Sequence, residues 1–438
     1  MFSAFAMAGS GAEAQKWNLR QCIDYALENN ISLKQKFLTV EQDRLDVEQS
    51  QAALLPSLSF STNQNMSWRP WSQSTINLSG GTMTSTQSSV SYNGSYGLNA
   101  NWTVWNGGKN TKTVKKNKLT EEMGELSADQ TANTIQEQIT QLYVQILYQS
   151  ESVNVNENLK ETAHVAADRG KTMYEVGSMA KSDYIQLESQ AAQADYNLVT
   201  SKTQLDNYLL QLKQLLEITG DDKFEVETEN VSESDVMQLI PAKADVYDAA
   251  LTFRPEIRSG KLQVESNELA VQIARAGYYP SVSLTAGIGS SNSSANDNPF
   301  FDQIKTNTNN SLGLTLSMPI FDGKQNKTAV NKAKLQHTSS QLQLQETEKE
   351  LYKSIENYWL NATSAQQQYV YAEASLNSSR ENYQLLQEKF DLGMVNIVEL
   401  NTGRTNLMQA AQQYLQAKYT TLYNLAMLRF YQGEVIKL

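Results

Sequence analysis

The sequence is short of the residues that disulfides and metal sites require. It has 438 residues, with one cysteine, two histidines and seven prolines. Cys22 has no internal disulfide partner, and Arg20 and Gln21 before it are not the small residues that a lipidation site needs, so we expect a buried thiol on a helix. His164 and His337 lack the carboxylate or cysteine spacing of a metal site, and we expect both at the surface.

Further absences bear on function. There is no run of eighteen apolar residues, so no membrane-spanning helix is predicted; membrane β-strands carry a weaker signal that this test does not address. There is no glycine-rich phosphate loop, and we predict neither an enzyme nor a cofactor. The net charge of -11 argues against general binding to nucleic acids.

The longest segment without proline or glycine lies in the second half of the chain. After Phe321-Asp322-Gly323, positions 324–392 contain neither residue, and apolar residues recur every three or four positions. The spacing predicts coiled-coil helices, which unbroken would extend about 100 Å at 1.5 Å per residue. The seam comprises Leu351, Ile355, Tyr358, Ala362, Ala365, Tyr369, Ala372, Leu376, Tyr383, Leu386 and Phe390.

The same segment occurs earlier in the chain. Trp105-Asn106-Gly107 stands 216 positions (321 minus 105) before Phe321-Asp322-Gly323, and Tyr174 to Gly177 stands at the same offset before Phe390 to Gly393. Upstream elements repeat at 224 (280 minus 56), as in Pro56 and Pro280. We therefore predict a tandem duplication of a unit of roughly 200 residues. The eight-residue difference between the offsets is expected in a loop between Pro56 and Trp105.

Four segments are predicted. Residues 1–16 read as a signal-peptide remnant, because they are small and apolar and close on Ala12-Glu13-Ala14. Residues 17–220 and 243–438 are the two repeats, and 221–242 is an acidic, solvated connector. Each repeat should run helix, strand, strand and long helical hairpin. The expected bounds are a first helix at 19–53, strands at 57–63, 90–105, 281–289 and 311–319, and hairpin turns at Gly177 and Gly393.

The strand pattern indicates the environment. Apolar residues alternate with serine, threonine, asparagine and glycine, and the alternating cores contain no charged residue. That pattern is typical of a transmembrane β-barrel, with Tyr92, Tyr96, Trp102 and Trp105 near the membrane interfaces. Four strands cannot close a barrel, so we expect an oligomer; on strand count a dimer, trimer or tetramer is possible. The helices have narrow apolar seams and polar surroundings, which suits a hollow cylinder with water on both sides.

Lysines gather where each long helix is expected to begin. They are Lys109, Lys112, Lys115, Lys116 and Lys118 after the first strand pair, and Lys324, Lys327, Lys332 and Lys334 after the second. Lysine at a helix start opposes the helix dipole, so a compensating anion is expected nearby. Lipid headgroups beside a barrel would supply it; the alternative is a solvated helix surface.

Several motifs, in this order within a duplicated frame, resemble the TolC family of outer-membrane efflux proteins. They are Arg254-Pro255-Glu256-Ile257, Ala276-Gly277-Tyr278-Tyr279-Pro280-Ser281-Val282-Ser283-Leu284, Pro319-Ile320-Phe321-Asp322-Gly323, and Gly393 followed by Ile397-Val398-Glu399-Leu400. The likeness covers the chain from about residue 17 to its end. It implies a mixed α and β fold in which each chain of a homotrimer gives four strands to a 12-stranded transmembrane β-barrel and coiled-coil helices to a periplasmic tunnel.

The resemblance also implies a function. The protein would be the outer-membrane exit duct of a tripartite efflux or type I secretion system, passively conducting substrates from a periplasmic adaptor (membrane fusion protein) and an inner-membrane transporter. A periplasmic aperture is implied at Glu399 and its repeat equivalent Asp183, with Thr402 where the family often has a second acid; the alternative for Glu399 is a solvated carboxylate. The implied adaptor contacts are the hairpin tips Val176, Gly177, Ser178, Met179, Leu392, Gly393, Met394 and Val395, whose alternative reading is plain turn chemistry. Phe321, Lys109 and Lys324 join the aromatic residues at the membrane interface.

A second class of function stays open. The alternative is a periplasmic coiled-coil adaptor or structural protein without a membrane barrel. An adaptor, however, is expected to nest one helical hairpin between glycine-rich β-domains, whereas this chain has two equivalent hairpins and uncharged alternating strands. The exit duct is therefore the favoured prediction.

Overall fold

The computed structural model describes residues 16–78, 81–220, 224–228 and 231–438, with the backbone alone for 72–78 and 81–89. The predicted signal-peptide remnant lies outside these residues except for Lys16.

The fold is mixed α and β, as predicted. The elements in chain order are β1 (Lys16–Trp17), α1 (Leu19–Asn29), α2 (Ile31–Ala52), β2 (Ser57–Leu78), β3 (Gly81–Trp105), α3 (Lys109–Glu175), α4 (Lys181–Leu215), β4 (Glu225–Val226), α5 (Glu233–Val236), α6 (Lys243–Phe253), α7 (Pro255–Ala276), β5 (Ser281–Ser293), α8 (Phe300–Thr306), β6 (Asn309–Ser317), α9 (Gln325–Asp391) and α10 (Ile397–Tyr431).

The chain forms two compact units. The helical unit comprises the chain up to Thr39, Gly124–Gly260 and Gln343–Leu438. The sheet unit comprises Val40–Met123 and Lys261–Leu342. Each unit contains residues from both predicted repeats, so neither unit corresponds to a single repeat.

The sheet unit is built on four antiparallel strands in the order β2-β3-β5-β6. Residues paired across such a ladder share a face, and neighbours along a strand point to opposite faces. One row is Leu58, Ala100, Ala286 and Leu312, and the adjacent row is Ser57, Asn101, Thr285 and Gly313. One face is therefore apolar and the other is small and polar.

The first strand is much longer than the predicted 57–63. β2 pairs with β3 as far as Leu78 opposite Gly81, so most of the region between Pro56 and Trp105, where a loop was predicted, is paired strand. Ladder hydrogen bonds satisfy the backbone whatever the side chains are. Pro70, which has no N–H to donate, falls at the register shift that follows Arg69. The strands predicted at 90–105, 281–289 and 311–319 run Gly81–Trp105, Ser281–Ser293 and Asn309–Ser317.

The helix bounds repeat at the two offsets found in the sequence. α9 and α10 begin and end 216 positions after α3 and α4, since 109 plus 216 is 325 and 215 plus 216 is 431. α6 and α7 follow α1 and α2 at 224, since 19 plus 224 is 243 and 52 plus 224 is 276. Equivalent residues also make the same hydrogen bond within each half. Asn110 Nδ2 donates to the Ala53 carbonyl at 3.1 Å in the first half, and Asn326 Nδ2 donates to the Gly277 carbonyl at 2.8 Å in the second.

The single helix predicted at 19–53 is two helices, α1 and α2, separated by Asn30. Asn30 leaves the helical conformation, with φ -59° and ψ 126°. Its Oδ1 accepts a hydrogen bond from the Leu33 N–H at 3.2 Å, which caps the start of α2. One capped residue barely changes the apolar period on either side, and periodicity alone therefore missed the break.

The predicted acidic connector is partly packed rather than wholly solvated. β4 pairs in parallel with β1, Trp17 lying opposite Val226. Val226 and Val236 are buried in the main core of the helical unit. Two valines thus anchor a segment whose acidic composition indicated only solvent; five connector residues, 221–223 and 229–230, lie outside the described chain.

The hydrophobic core of the helical unit draws on both hairpins. Seven of the eleven predicted seam residues are buried, which confirms the coiled-coil spacing: Leu351, Ile355, Ala362, Ala365, Tyr369, Leu376 and Tyr383. Ile139 and Ile146 of α3 and Leu212 of α4 are fully buried in the same unit. Within the described ranges, no helix is both long enough and apolar enough to cross a membrane.

A buried charge cluster also lies in the helical unit. The Arg254 side chain is 6% exposed; its Nε donates to Glu256 Oε1 at 2.8 Å and its Nη2 to Glu137 Oε1 at 3.4 Å. The guanidinium lies 4.2 Å from the centre of the Tyr431 ring. Burial raises the pKa of Glu137 despite the neighbouring Arg254, since loss of water penalises the charged carboxylate.

The cysteine and histidine predictions have mixed outcomes. Cys22 is a buried free thiol on α1, as predicted, and burial raises its pKa to about 12. His164 is exposed, with Nε2 3.0 Å from Asp195 Oδ2. His337 is half-buried, so only part of its ring reaches the surface.

Candidate functional site at the hairpin ends and the sheet face

Both long hairpins turn on the same capping motif. The Gly177 N–H donates to the Tyr174 carbonyl at 3.0 Å, and the Ser178 N–H to the Met173 carbonyl at 2.8 Å. The second hairpin repeats both bonds at the same distances around Gly393. This pair of bonds defines a Schellman motif, which needs a left-handed residue at the turn. Gly177 and Gly393 supply it, with φ of +76° and +70°.

Apolar side chains cover the outside of the two turns. Val176, Leu392 and Met394 are 74%, 75% and 69% exposed. Met179 and Val395 are half-buried. The structure places all eight predicted adaptor-contact residues in these two turns: Val176, Gly177, Ser178, Met179, Leu392, Gly393, Met394 and Val395. Exposed apolar groups at this density are typical of an interaction surface.

One small core supports both turns. Leu187 of α4 is 1% exposed and clusters with Tyr383, Ile397 and Leu400 of the second hairpin. Met179, at the end of the first turn, packs against the same cluster. The ends of the two hairpins are therefore joined by apolar contacts within one chain.

An ion pair that the sequence did not predict joins the same hairpins. Arg169 Nη1 lies 2.7 Å from Asp391 Oδ2, and Arg169 Nη2 donates to the Asp391 carbonyl at 3.4 Å. Both side chains are more than a third exposed, and such pairs contribute about 0.2–1 kcal/mol. The equivalent positions in the other repeat are Leu385 and Glu175, which cannot form this ion pair. The duplication therefore gave no indication of the pair.

The three predicted aperture residues lie within the first two turns of the helices that leave the hairpin ends. Asn396 Oδ1 accepts from the Glu399 N–H at 2.9 Å, and Asn396 Nδ2 donates to Glu399 Oε1 at 3.0 Å. Capping therefore holds this exposed carboxylate at the start of α10. Asp183 is half-buried on α4 and accepts a 3.3 Å bond from the neighbouring serine hydroxyl. Thr402 is exposed, and its hydroxyl donates to a carbonyl one turn back at 2.8 Å.

The predicted interface aromatic residues occupy two levels of the sheet. Trp102 and Trp105 lie at the end of β3 from which α3 leaves, and Tyr92 and Tyr96 lie nearer the end of the ladder at which Leu78 pairs with Gly81. Trp102 Nε1 donates to the Leu54 carbonyl at 2.8 Å. Ten residues separate Tyr92 from Trp102, which is about 33 Å along a strand.

The end of the sheet unit next to the helix starts combines exposed apolar and basic residues. Ile320 and Phe321 are 98% and 89% exposed. Lys109 is the first residue of α3 and is exposed. Lys324, also exposed, directly precedes α9 and has a left-handed backbone with φ +71°.

The apolar face of the sheet is open. Among the residues more than half exposed on these strands and directly after them are Leu58, Phe60, Met66, Trp68, Val90, Ile288, Leu312, Leu314, Leu316 and Met318. Arg69 is the one charged residue in the sequence of the four strands. α8 packs against this face beside Tyr96 and Ser290. The rest of the face, which carries no charge and is exposed, has the character of a surface that meets lipid or another protein. Across the described part of the chain, no three His, Cys, Asp or Glu residues are arranged to hold a metal ion.

Comparison with known proteins gives consistent relatives. The family model described as outer membrane efflux protein matches residues 22–217 and 246–434. The chain is 22% identical over 309 residues to outer membrane protein TolC of Salmonella enteritidis, a match that covers 67% of this chain and 60% of that relative. The chain thus spans about three fifths of that relative's length. It is also 22% identical over 418 residues to the alkaline protease secretion protein AprF of Pseudomonas aeruginosa, covering 93% and 82% of the two chains.

A solved structure shares the fold. The CmeC outer membrane channel of Campylobacter jejuni superposes with a TM-score of 0.79 at 21% identity, covering 95% of this chain and 86% of that chain. At this identity the likeness speaks for the fold alone. The family model, in contrast, spans both hairpins and both strand pairs and covers most of the sequence. The chain therefore belongs to the outer membrane efflux protein family.

Proposed function

We propose that the protein is the outer-membrane exit duct of a tripartite efflux or type I secretion system. It would passively conduct substrates from a periplasmic adaptor and an inner-membrane transporter to the outside. The observation that carries this proposal is the open four-stranded sheet, whose charge-free apolar face is exposed. Among the relatives, AprF is a secretion protein and CmeC an outer membrane channel.

The sheet edges support an assembly of several copies. β2 and β6 are the two edge strands, and they run in opposite directions because every neighbouring pair in the sheet is antiparallel. β6 of one copy can therefore pair antiparallel with β2 of the next. An unpaired edge is not tolerated in hydrocarbon. Three copies would close a 12-stranded barrel, and membership of this family favours a homotrimer with the hairpins arranged as a tunnel.

The aromatic levels fit the height of a membrane. Tyr92 and Trp102 are separated by about 33 Å along β3. A strand tilted by about 40° would turn this separation into a height of about 25 Å, which is the usual apolar band of a membrane barrel. Tyr92 and Tyr96 would then mark one interface, and Trp102, Trp105 and Phe321 the other.

The hairpin turns are the proposed docking surface for the adaptor, because their exposed apolar side chains have no partner in the turn. Val176→Asp with Leu392→Asp should abolish co-purification of the adaptor and leave the particle mass unchanged. Thr200→Asp with Ser378→Asp adds the same charge at exposed helical positions outside the turns and serves as the control. If the double aspartate variant binds the adaptor as well as wild type does, the turns serve only to reverse the chain and are not the docking surface.

Glu399 and Asp183 are the proposed aperture residues. Copies of Glu399, held at the start of α10, would form a ring of carboxylates that favours cations. In planar bilayers, Glu399→Gln should lower the selectivity for potassium over chloride, whereas the exposed Glu346→Gln should leave it unchanged. If both variants have the same selectivity, Glu399 is a solvated carboxylate that does not line the aperture.

Fractionation of carbonate-washed membranes, followed by the mass of the detergent-extracted particle, tests the proposal as a whole. Recovery in the outer membrane as three chains is expected. A soluble protein would mean that the sheet face packs against protein, and the exit-duct function would be withdrawn in favour of a periplasmic coiled-coil role.

A further inference from the structure

The helix ends nearest the sheet carry a surface that we call the basic band. Its members are Lys109, Lys112, Lys115, Lys116, Lys118, Arg275, Lys324, Lys327, Lys332 and Lys334. The segments that hold them, 107–120, 269–280 and 321–345, contain one acid, Asp322. Ten cations and one acid give +9, in a chain whose net charge is -11. Positive charge is thus concentrated at one level of the sheet unit.

The nearest acids on the neighbouring α2 offset only part of this charge. Asp46 and Glu48 lie on that helix, and the Asp46 carbonyl accepts a hydrogen bond from Asn117 Nδ2 at 3.3 Å; counting both acids, nine minus two leaves +7. Across the described chain, the ion pairs found within 4 Å include none of the ten cations of the band. Along α3 and α9 the first acids are Glu121 and Glu346, which follow the band. Like charges at this density repel one another, so an external anion would relieve the repulsion.

Lys324 has a backbone conformation that is unfavourable for lysine. Its backbone is left-handed, with φ +71°, where the first repeat has Gly108 at φ +75°. A left-handed backbone disfavours any residue that carries a Cβ, and glycine would fit this turn without strain. The second repeat nevertheless has a lysine, whose side chain is exposed.

The band borders apolar surface that has the character of a lipid contact. Ile320 and Phe321 are almost fully exposed three or four residues before Lys324, and Trp105 is 43% exposed four residues before Lys109. Lys109, Tyr279 and Asn326 line one open cavity of about 390 Å³, which has room for a headgroup. Basic residues directly beyond an apolar and aromatic rim are typical of a surface that binds phosphate headgroups.

We propose that the basic band binds the phosphate groups of phospholipids in the leaflet nearest the helices. The acyl chains would lie along the apolar sheet face while the lysines hold the headgroups, which fixes the depth of the sheet in the bilayer. This inference rests on the proposed membrane location.

The test uses the full chain, purified from membranes in a neutral detergent. The band variant is Lys109→Gln, Lys112→Gln, Lys324→Gln and Lys327→Gln. The matched control removes four exposed lysines elsewhere, Lys34→Gln, Lys36→Gln, Lys349→Gln and Lys353→Gln. Native mass spectrometry counts bound dioctanoyl phosphatidylglycerol per particle, with dioctanoylglycerol as the probe that lacks phosphate. A milder pair, Lys109→Gln with Lys324→Gln, is measured in the same way should the fourfold variant not assemble.

Wild type and control should bind the phospholipid alike, and the band variant about tenfold more weakly or worse. Binding of dioctanoylglycerol should not distinguish the three proteins, and a large excess of inorganic phosphate should not displace the phospholipid. Equal phospholipid binding by band variant and control would overturn the inference, as would displacement by inorganic phosphate, which would identify a free anion as the ligand. A wild-type protein absent from the membrane would instead refute the proposed function.

Discussion

Gly170 of α3 faces Leu187 of α4 so closely that a Cβ on the glycine would lie 2.4 Å from Leu187 Cδ1. The second hairpin makes the same contact with the residues exchanged: a Cβ on Gly403 would lie 2.5 Å from Leu386 Cδ1. Adding 216 to 170 and 187 gives 386 and 403, so the positions are equivalent and the glycine and leucine have changed sides. In each hairpin, therefore, one helix contributes a leucine and the other a glycine that leaves space for it.

Exchanging the pair in the first hairpin tests this complementarity. Gly170→Leu alone places two leucines in one gap, and overpacking should destabilise the hairpin by about 1–3 kcal/mol. Adding Leu187→Gly should restore part of the loss, because it recreates the arrangement of the second hairpin. Thermal unfolding followed by circular dichroism measures both variants. A double variant less stable than Gly170→Leu would show that Leu187 is needed on its own side, for its contacts with Tyr383 and Ile397.

The turn glycines offer a measurement of backbone strain alone. A Cβ on Gly177 or Gly393 would meet nothing within 4 Å, yet both have positive φ. Gly177→Ala and Gly393→Ala should each destabilise the protein by about 1 kcal/mol, and Gly177→Asn by less, because asparagine tolerates this backbone. Glu175→Ala, two residues before Gly177 at the exposed end of α3, is the control. No loss of thermal stability in the alanine variants would mean that the turns change conformation in solution.

Arg254 should be among the most sensitive positions in the helical unit. Arg254→Met leaves the carboxylates of Glu137 and Glu256, which are 22% and 17% exposed, without their cation. Loss of one partner from a fully buried pair costs about 3–5 kcal/mol, which sets the upper limit of the expected loss. Arg254→Met combined with Glu256→Met removes the 2.8 Å pair together and should cost less than the single change. Denaturant unfolding compares the two. Equal losses would assign the effect to the lost stacking on Tyr431 rather than to charge.

Glu137 should make stability depend on pH. Burial raises its pKa above the ordinary value of 4.5, so the folded protein holds this proton where the unfolded chain has released it. Its contribution is therefore greatest below pH 4.5 and falls as the pH rises through the raised pKa. Glu137→Gln should gain stability relative to wild type across that interval, whereas the exposed Glu161→Gln should not. The readout is the melting temperature of each protein between pH 4 and pH 8; parallel curves for Glu137→Gln and wild type would contradict the prediction.

Long-period patterns in the sequence carried the prediction of the helices. The offset of 216 is reproduced by the bounds of α3, α4, α9 and α10, and the coiled-coil spacing by the buried seam from Leu351 to Tyr383. Both signals arise from the chain's own local geometry, in which 3.6 residues per turn bring every third or fourth side chain to one face. The predicted aperture, tip and interface residues also occur where the helix and strand patterns indicated, although their roles stay predictions.

What failed depended on single contacts. The break at Asn30 comes from one side-chain cap, and the length of β2 from backbone pairing that does not need apolar residues. The acidic connector was expected in solvent, yet Val226 and Val236 pack into the core. For the helix break and the connector, composition averaged over a window concealed the decisive residue.

The sequence by itself determined the duplicated order of strands and hairpins, the turns at Gly177 and Gly393, and the charge-free alternation of the sheet, because each follows from periodicity or from backbone freedom at one residue. The tertiary structure alone decided which residues from the two halves meet. Arg169 forms an ion pair with Asp391, Leu187 packs in one cluster with Tyr383, and Arg254 lies buried between Glu137 and Glu256. These partners are far apart in the chain, so their pairing depends on how the helices pack and leaves no periodic trace in the sequence.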